Sequence, residues 1–249
     1  MKKIELSENF YQYQFPHSEG QHFGFNIYCL INGQEALIID TAYVKQTEII
    51  NKDLQEQGIS ITQVVFSHFH PDHVSGLPAL NSPKLFGNER YQKTLDKFTP
   101  KEEHVYFEGL TPLTDASTLT FGTFDLKFRL IQGHVDCGMF TIINDQFVHV
   151  ADDLMASNTG EPLLPYVHIQ NAKKHIDSLQ SLKLFRNYTL LLSHGNPIVG
   201  ASNILQAIDD RLDYLHAIEP SPTPLSIEEV IKKCRCDFLH KEWHEYVYL

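Results

Sequence analysis

The sequence lacks a long apolar stretch. No run approaches the roughly 20 consecutive apolar residues that a helix needs to cross a bilayer, so we expect no membrane partner. Residues 1–9 include two lysines, but no apolar segment of the kind found in secretory signals follows them. These two absences predict a cytoplasmic location.

Positive charge is also scarce. The 249 residues contain 20 Lys and Arg against 31 Asp and Glu, which gives a formal net charge of −11. Because nucleic-acid binding needs positive surface to offset the phosphates, we expect no nucleic-acid partner. The hydrophobic fraction of 42% is enough for a substantial core, and a small molecule is the expected substrate. The oligomeric state cannot be read from the sequence.

Cysteine is rare as well, with four residues in the chain. This number suggests no disulfide framework in a protein of this length, and a reduced compartment suits all four. Cys234 and Cys236 are too close in sequence for a structural zinc pair, which has two to four residues between its cysteines. Cys29 lies in an apolar segment and is interpreted as core. Cys137 lies three residues after His134, so a ligand or redox role stays open for it.

Histidine, in contrast, is concentrated in one short segment. Residues 68–73 read HFHPDH, and only Ser67 separates them from the apolar residues 64–66. A helix or strand would send these side chains to different faces, whereas a loop that leaves a buried strand can bring them to one point. Imidazole and carboxylate groups together suit Zn²⁺ and other borderline metals. The motif predicts a metal site at a strand end; the alternative is a polar, histidine-rich surface loop.

Histidine or aspartate also follows three other apolar, β-prone segments, at His134, Asp152 and His194. Each of these signals is weak alone, because a single histidine after a strand is usually structural. Their shared position at strand ends predicts that they gather with residues 68–73 at one edge of a sheet.

Together these residues resemble the metallo-β-lactamase-fold hydrolase superfamily, over about residues 24–217. The family pattern is an aspartate after an early strand, then H-x-H-x-D-H, Gly-His, another Asp and a final His. In this sequence the pattern corresponds to Asp40, residues 68–73, Gly133-His134, Asp152 and His194. The resemblance implies a four-layer αβ/βα sandwich of two mixed β-sheets flanked by helices. Hydrophobic periodicity alone supports only an α/β chain with mixed strands.

The resemblance also implies a site for two divalent metal ions. One ion would be bound by His68, His70 and His134, the other by Asp72, His73 and His194, with Asp152 and a water bridging both. Zinc is the expected metal, although such ligands also accept manganese, iron or cobalt. Asp72 is the expected catalytic residue, because it would orient the water nucleophile and pass a proton to the leaving group.

Three aspartates near this site need separate interpretation. The family usually has Gly-Asp where this chain has Ala151-Asp152. Because side chains alternate along a strand, we expect Asp152 to face the metals and Asp153 to be solvated or to cap. We expect Asp40 to orient a ligand or the loop beneath the site; the alternative is an ordinary turn residue.

Periodicity and turn signals predict the main elements. They indicate a hairpin of residues 24–31 and 36–40 joined by Asn32-Gly33, helices over 44–57, 172–185 and 203–218, a helix starting after His73, and strands over 62–67, 125–131, 138–143 and 146–151. We expect one domain over 1–249, with 220–249 as a C-terminal helical appendage. Pro220, Pro222 and Pro224 precede it, and Ser226 with Glu229 has the spacing of a capping box.

The expected activity is hydrolysis of a small ester, thioester, lactone or related compound. The sequence leaves open whether residues 155–170, which follow Asp152, form a substrate lid or an ordinary connection. Phe69 and Tyr166 either line the pocket or pack in the core. His149, His168 and His175 are interpreted as structural or exposed.

Two other functions are compatible with the motif. One is an iron-dependent oxygenase or redox enzyme on the same scaffold. Redox diiron members of the superfamily replace the second histidine of the motif with glutamate, and His70 argues against that form. The other is a non-catalytic metal-binding protein, which the apparently full ligand set disfavours.

Overall fold

The computed structural model describes residues 1–18, 20–219 and 223–249. Within these residues the chain forms twelve strands and six α-helices. The strands are β1 (Lys2–Ser7), β2 (Phe10–Gln14), β3 (Asn26–Asn32), β4 (Glu35–Ile39), β5 (Ser60–Val65), β6 (Lys84–Asn88), β7 (Thr111–Leu113), β8 (Thr118–Phe121), β9 (Phe124–Ile131), β10 (Gly138–Ile143), β11 (Phe147–His149) and β12 (Thr189–Leu191). The helices are α1 (Val44–Gln55), α2 (Pro71–Val74), α3 (Gln92–Phe98), α4 (Ala172–Leu182), α5 (Ala201–Ile218) and α6 (Ile227–Ile231).

The strands form two mixed sheets. The first sheet has seven strands in the order β1-β2-β3-β4-β5-β6-β7, antiparallel from β1 to β4 and parallel from β4 to β7. The second has five strands in the order β12-β11-β10-β9-β8, antiparallel except for the parallel pair of β11 and β12. Each sheet therefore combines both strand orientations, as the sequence resemblance implied.

The sheets pack face to face, with helices on both outer faces. Side chains alternate along each strand: in β4, Leu37 and Ile39 join the core between the sheets, whereas Ala36 and Ile38 pack in the core that contains α1. The outer face of the second sheet packs against α4 and α5 through buried residues such as Ile176. The order helix, sheet, sheet, helix is the predicted four-layer αβ/βα sandwich.

Parallel pairing brings several strand ends to the same edge of the molecule. Ile39 at the end of β4 is paired with Val65 at the end of β5, and His149 at the end of β11 is paired with Leu191 at the end of β12. Since parallel strands run in the same direction, the loops that follow them leave from one edge. These loops carry the residues that the sequence identified as candidate ligands.

Two predicted elements are shifted relative to the structure. Asn32 still pairs with Glu35 across the β3–β4 hairpin, so the turn consists of residues 33–34 rather than Asn32-Gly33. The helix expected after His73 begins earlier, at Pro71, and ends at Val74. Proline suits the first position of a helix because its missing N–H has no partner there. His73 therefore lies inside α2.

The C-terminal segment packs against the core of the second sheet. Val230, Phe238 and Val247 are buried in the cluster that contains α4 and α5. Ser226 and Glu229 form the predicted capping box, in which each side chain accepts a hydrogen bond from the other's backbone N–H. Pro220 and Pro222 lie outside the described residues, and the division into one domain with an appendage stays a prediction.

Along the described stretches, every helix is too short or too polar to traverse a lipid bilayer.

Candidate metal centre

The loops at this edge bring all seven predicted ligands together. His68 follows β5, His70 precedes α2, Asp72 and His73 lie within α2, His134 follows β9, Asp152 follows β11 and His194 follows β12. Their potential ligand atoms form two groups, and within each group all atoms lie within 4.8 Å of one another. Both groups correspond to the sets that the family resemblance implied; metal ligation itself stays a prediction.

The first group consists of His68, His70 and His134. His70 Nδ1 lies 3.1 Å from His68 Nε2 and 3.0 Å from His134 Nε2. Three nitrogens this close are typical of ligands that converge on one cation. Such a set of three imidazoles suits zinc and other borderline metals.

The second group consists of Asp72, His73, Asp152 and His194. Asp72 Oδ2 lies 3.7 Å from His73 Nε2 and 3.5 Å from His194 Nε2. Asp72 is about one quarter exposed, whereas the other three side chains are almost completely buried. Asp72 is therefore the member of this group that a substrate can approach most easily.

Asp152 lies between the two groups. Its Oδ2 atom is 3.3 Å from His73 Nε2 and 3.5 Å from His194 Nε2 in the second group. The same oxygen is 3.8 Å from His68 Nε2 and 3.9 Å from His134 Nε2 in the first group. One carboxylate thus adjoins imidazoles of both groups, which is the arrangement that a bridging ligand requires.

Four imidazoles are held through the ring nitrogen that faces away from the centre. His68 Nδ1 lies 3.2 Å from Ser67 Oγ, and His73 Nδ1 lies 2.8 Å from Asp40 Oδ2. His134 Nδ1 lies 2.7 Å from the Tyr166 carbonyl oxygen, and His194 Nδ1 lies 2.8 Å from that of Gly24. With Nδ1–H donating to such oxygens, Nε2 keeps its lone pair for a metal. The sequence pattern identified only Asp40 among these partners; no sequence signal marks the two carbonyl groups.

Asp40 connects the end of β4 to the metal loop. It accepts hydrogen bonds from the Ser67 backbone N–H at 2.7 Å and from Ser67 Oγ at 2.7 Å, in addition to its contact with His73. Neighbouring Thr41 donates from N and Oγ1 to the His73 carbonyl, at 2.8 and 2.9 Å. Asp40 is therefore a buried positioning residue, as predicted, rather than an ordinary turn residue.

Asp153 differs from its prediction. It is buried rather than solvated, and it accepts hydrogen bonds from the His134 backbone N–H, at 3.1 Å, and from Ser178 Oγ. A Cβ atom at Gly133 would lie 2.5 Å from Asp153 Oδ1, so any other residue there would displace the Asp153 carboxylate. Asp153 does face away from the ligand groups, but strand alternation is not the reason, because β11 ends at His149 and both aspartates lie in the turn that follows it. The side that Asp153 faces is covered by α4. Asp153 therefore anchors the Gly133-His134 loop to α4.

Ala151 occupies the position where the family usually has glycine. Its φ angle is 50°, in the left-handed region that glycine adopts without a steric penalty. Asp40 lies in the same region, with φ of 61°. Strained backbone is characteristic of functional sites, and here it occurs at two of the turns that direct carboxylates toward the centre.

Burial and charge have opposite effects on the imidazoles of the two groups. Burial lowers the pKa of His68, and it lowers the pKa of His70 to about 3, so these rings are neutral. Burial opposes protonation of His73 and His194 too, but Asp152 and Asp72 outweigh it. They raise the pKa of His73 well above its ordinary value and that of His194 to about 10. A cation in the second group would take the place of these protons beside the carboxylates.

Two buried atoms at the centre support a cation there. Among the described residues, Asp152 Oδ1 makes no hydrogen bond, and His73 Nε2 makes none of good geometry although Asp152 Oδ2 lies 3.3 Å away. Buried polar atoms almost always have a hydrogen-bond partner, because leaving them unpaired costs free energy. Neutral imidazoles and ionised carboxylates are also the forms that bind divalent metals. The residues present therefore fit the metal pair that the sequence implied.

A cavity of about 710 Å³ opens beside the first ligand group. His70, His134, Phe98 and Tyr166 are among its lining residues. Tyr166 is therefore a pocket residue, and the segment 155–170 supplies one cavity wall through residues 166–168 and 170. Phe69, in contrast, is completely buried and packs in the core.

The remaining candidate residues have structural environments. Cys137 is buried and its Sγ lies 3.2 Å from Thr94 Oγ1; burial raises its thiol pKa, and it belongs to neither ligand group. His149 and His175 are buried. The Nε2 atom of His175 lies 3.2 Å from the Asp153 carbonyl. His168 is partly exposed and lines the cavity wall.

Comparison with known proteins agrees with this geometry. The sequence profile of the metallo-beta-lactamase superfamily matches residues 23–194, which include every predicted ligand. A solved beta-lactamase domain protein from Burkholderia ambifaria superimposes with a TM-score of 0.68, covering 97% of this chain and 84% of that one. It is 14% identical in sequence. At that identity the similarity shows the fold alone.

Two curated relatives have names that include a substrate. An atrochrysone carboxyl ACP thioesterase of Aspergillus aculeatus is 41% identical over 59 residues, which are 23% of this chain and 19% of that protein. This chain thus spans about a fifth of that relative's length. A hydroxyacylglutathione hydrolase of Actinobacillus pleuropneumoniae is 22% identical over 191 residues, covering 72% of this chain and 74% of that enzyme.

Proposed function

The chain belongs to the metallo-beta-lactamase superfamily, and from this premise we propose that it is a metal-dependent hydrolase with two divalent cations, most simply zinc. His68, His70 and His134 would hold one cation, and Asp72, His73 and His194 would hold the other, with Asp152 adjoining both sets of ligands. When bound, such a pair lowers the pKa of a coordinated water and polarises the substrate oxygen.

The position of Asp152 Oδ2 is the observation that carries this proposal. It lies within 3.3–3.9 Å of imidazole nitrogens from both groups. A single metal would need only one of the groups. The completeness of both groups, joined by one buried carboxylate, favours two.

Asp72 moves the proton in this proposal. Without a cation, burial raises the pKa of Asp72, but charge and hydrogen bonding from His73 and His194 outweigh it and lower that pKa to about 2. A cation in place of their protons would likewise keep the Asp72 carboxylate ionised. Its partial exposure lets it accept a proton from the attacking water and deliver it to the leaving group. Asp152, more deeply buried, stays ionised and acts as a ligand only.

Thioesters are the favoured substrates within the wider set of esters, thioesters and lactones. The two named relatives are a thioesterase and a hydrolase of hydroxyacylglutathione, whose acyl group is attached to a sulfur atom. The cavity beside the ligand groups, at about 710 Å³, lies in the size range of small-molecule sites. Cleavage would release a carboxylic acid and a thiol.

Metal analysis combined with a hydrolase panel tests the proposal. We expect about two divalent ions per chain, and turnover of a thioester in preference to a matched oxygen ester and a lactone. His70→Ala and Asp152→Ala should each remove metal and lower activity by roughly a hundredfold or more. Asp145→Asn, at an exposed carboxylate, is the matched control and should retain both.

Activity that survives both alanine substitutions would overturn the mechanism. Iron content with oxygen consumption and no hydrolysis would favour the oxygenase alternative. A metal-loaded protein that is inert across the whole panel would favour the non-catalytic alternative.

A further inference from the structure

The cavity beside the first ligand group has an unusual charge for this protein. Of the described residues, three lysines, one aspartate and no glutamate line it, although the chain as a whole carries a net charge of −11. Lys93 and Lys97 lie four residues apart on α3, on the same helix face. Lys174 lies on α4. The cavity lining therefore has more lysines than acidic side chains, although the molecule as a whole is negatively charged.

One of these lysines has its charge unpaired. Asp136 forms an ion pair with Lys174, at 2.8 Å, and lies 3.9 Å from Lys93. Lys97 forms no ion pair with any carboxylate in the described part of the chain; its Nζ instead lies 4.8 Å from the centre of the Phe98 ring. Lys97 is therefore free to bind an anion that enters the cavity.

Phe98 also places Lys97 close to the ligand groups. The Phe98 ring meets the His70 ring edge to face, with 4.9 Å between their centres. A single aromatic ring thus separates the lysine ammonium group from a predicted metal ligand. Tyr166 and Tyr246, both partly exposed, also line this cavity.

From this arrangement we infer that the cavity selects substrates with a carboxylate remote from the bond that is cleaved, and that Lys97, assisted by Lys93, binds that carboxylate. The inference rests on the proposed hydrolase function. The carboxylate stays intact, and its ion pair with Lys97 stabilises the bound substrate and the transition state equally. Such a contact acts on substrate binding, so it changes KM rather than kcat.

Three butyryl-length thioesters distinguish where the carboxylate lies. Butyryl-N-acetylcysteamine is neutral. S-butyrylglutathione carries its carboxylates on the part that is released as the thiol, and glutaryl-N-acetylcysteamine carries one on the acyl part. We expect the protein to prefer one of the two anionic compounds over the neutral one. Lys97→Gln should raise KM for that compound roughly fivefold and leave kcat and the neutral substrate unchanged. Lys84→Gln, at an exposed lysine outside the cavity, is the control and should change neither.

A binding measurement keeps this inference separate from the hydrolase proposal. Isothermal titration with the uncleavable thioethers S-butylglutathione, S-butyl-N-acetylcysteamine and S-(4-carboxybutyl)-N-acetylcysteamine needs no turnover. We expect tighter binding of one anionic thioether, and loss of that advantage in Lys97→Gln. Equal binding of all three, or an equal effect of Lys97→Gln on neutral and anionic compounds, would overturn the inference. Selective binding without hydrolysis of any thioester would contradict the proposed function alone.

Discussion

At the scale of single residues, the predicted metal centre depends on side chains that hold other side chains. Asp40 fixes His73 and the Ser67 backbone, and Asp153 fixes the His134 backbone. Neither belongs to the set of seven that would bind the metals. Groups of this kind tune metal affinity because they set the orientation of the ligands.

Replacing Asp153 should weaken the first ligand group. Asp153→Asn removes the negative charge of the side chain that accepts hydrogen bonds from the His134 N–H and the Ser178 hydroxyl. We expect the free energy of unfolding to fall by about 1–3 kcal/mol and metal affinity to fall by roughly tenfold to a hundredfold. Denaturant unfolding and competition with a zinc indicator measure the two effects. Asp145→Asn, at an exposed site, is the control; equal behaviour of the two variants would refute the anchoring role.

His149 should make the protein less stable at acidic pH. Burial lowers its pKa from the ordinary 6.5 to about 4. Its Nε2 atom lies 3.3 Å from Ser193 Oγ, and its ring packs 5.3 Å from that of Tyr28. Between these two pH values the unfolded chain binds the proton and the folded chain does not. The free energy of unfolding therefore falls as the pH is lowered through this window.

Comparison of variants isolates this contribution, because burial also lowers the pKa of His68, His70 and His175. We expect His149→Gln to remove about 2–3 kcal/mol of the stability difference between pH 7 and pH 4.5. His216→Gln, at an exposed histidine, is the control for the loss of one surface imidazole. Urea unfolding at both pH values gives the free energy of unfolding of each protein. An equal change between pH 7 and pH 4.5 in wild type and His149→Gln would show that His149 does not titrate as described.

At the scale of elements, the metal loop is held in place by packing as well as by hydrogen bonds. Phe69, inside the H-x-H-x-D-H motif, packs on Phe66, Tyr91 and Phe107. On β6, Gly87 has no side chain where that ring lies: an added Cβ would come within 2.7 Å of Phe69 Cζ. Packing of Phe69 therefore holds the loop between His68 and His70 against the first sheet.

A double-mutant cycle tests this contact between loop and strand. Gly87→Ala should lower the free energy of unfolding by about 1–3 kcal/mol, because the surrounding rings prevent Phe69 from moving aside. Phe69→Leu provides space, so the same alanine should cost less in that background, with a coupling energy of about 1 kcal/mol. Denaturant unfolding of the four proteins gives the coupling, and strictly additive costs would show that the two residues do not meet.

At the scale of the whole molecule, the ligands come from both sheets. His68, His70, Asp72 and His73 follow β5 of the first sheet, whereas His134, Asp152 and His194 follow strands of the second. Each ligand group contains members from both sheets. Cations bound there would therefore connect the two halves of the sandwich.

Metal removal should lower the thermal stability of the whole protein. A ligand that binds only the folded chain stabilises it by about 2.7 kcal/mol at a hundredfold excess over Kd. For a chain of this size that corresponds to a rise in Tm of roughly 5–10 °C. We expect a chelator to remove this increment and added zinc to restore it, as measured by calorimetry. Asp152→Ala should show little response, and an unchanged Tm in wild type after complete metal removal would contradict the bridging role.

Several features followed from the sequence because they depend on neighbouring residues. The motif at 68–73, the hairpin of β3 and β4, and the capping box before α6 are set by local spacing, and their structures agree apart from shifts of a few residues. Five strands, β1, β2, β6, β7 and β8, were not predicted. In β1, β7 and β8 at most one residue is buried, so there is no apolar alternation to detect. β2 and β6 have five residues each, too few for a clear period.

The sequence by itself determined the superfamily and the identity of the seven residues that meet, because residue type and order along the chain carry that information. The layer order followed only through the resemblance to that superfamily. Only the tertiary structure decided what surrounds the seven residues. It buried Asp153 under α4, placed the carbonyl groups of Gly24 and Tyr166 behind two imidazoles, and left Lys97 unpaired beside Phe98. Backbone carbonyls are the same in every residue, and the neighbours of a lysine depend on packing between distant segments. Neither leaves a pattern that can be read from the order of residues.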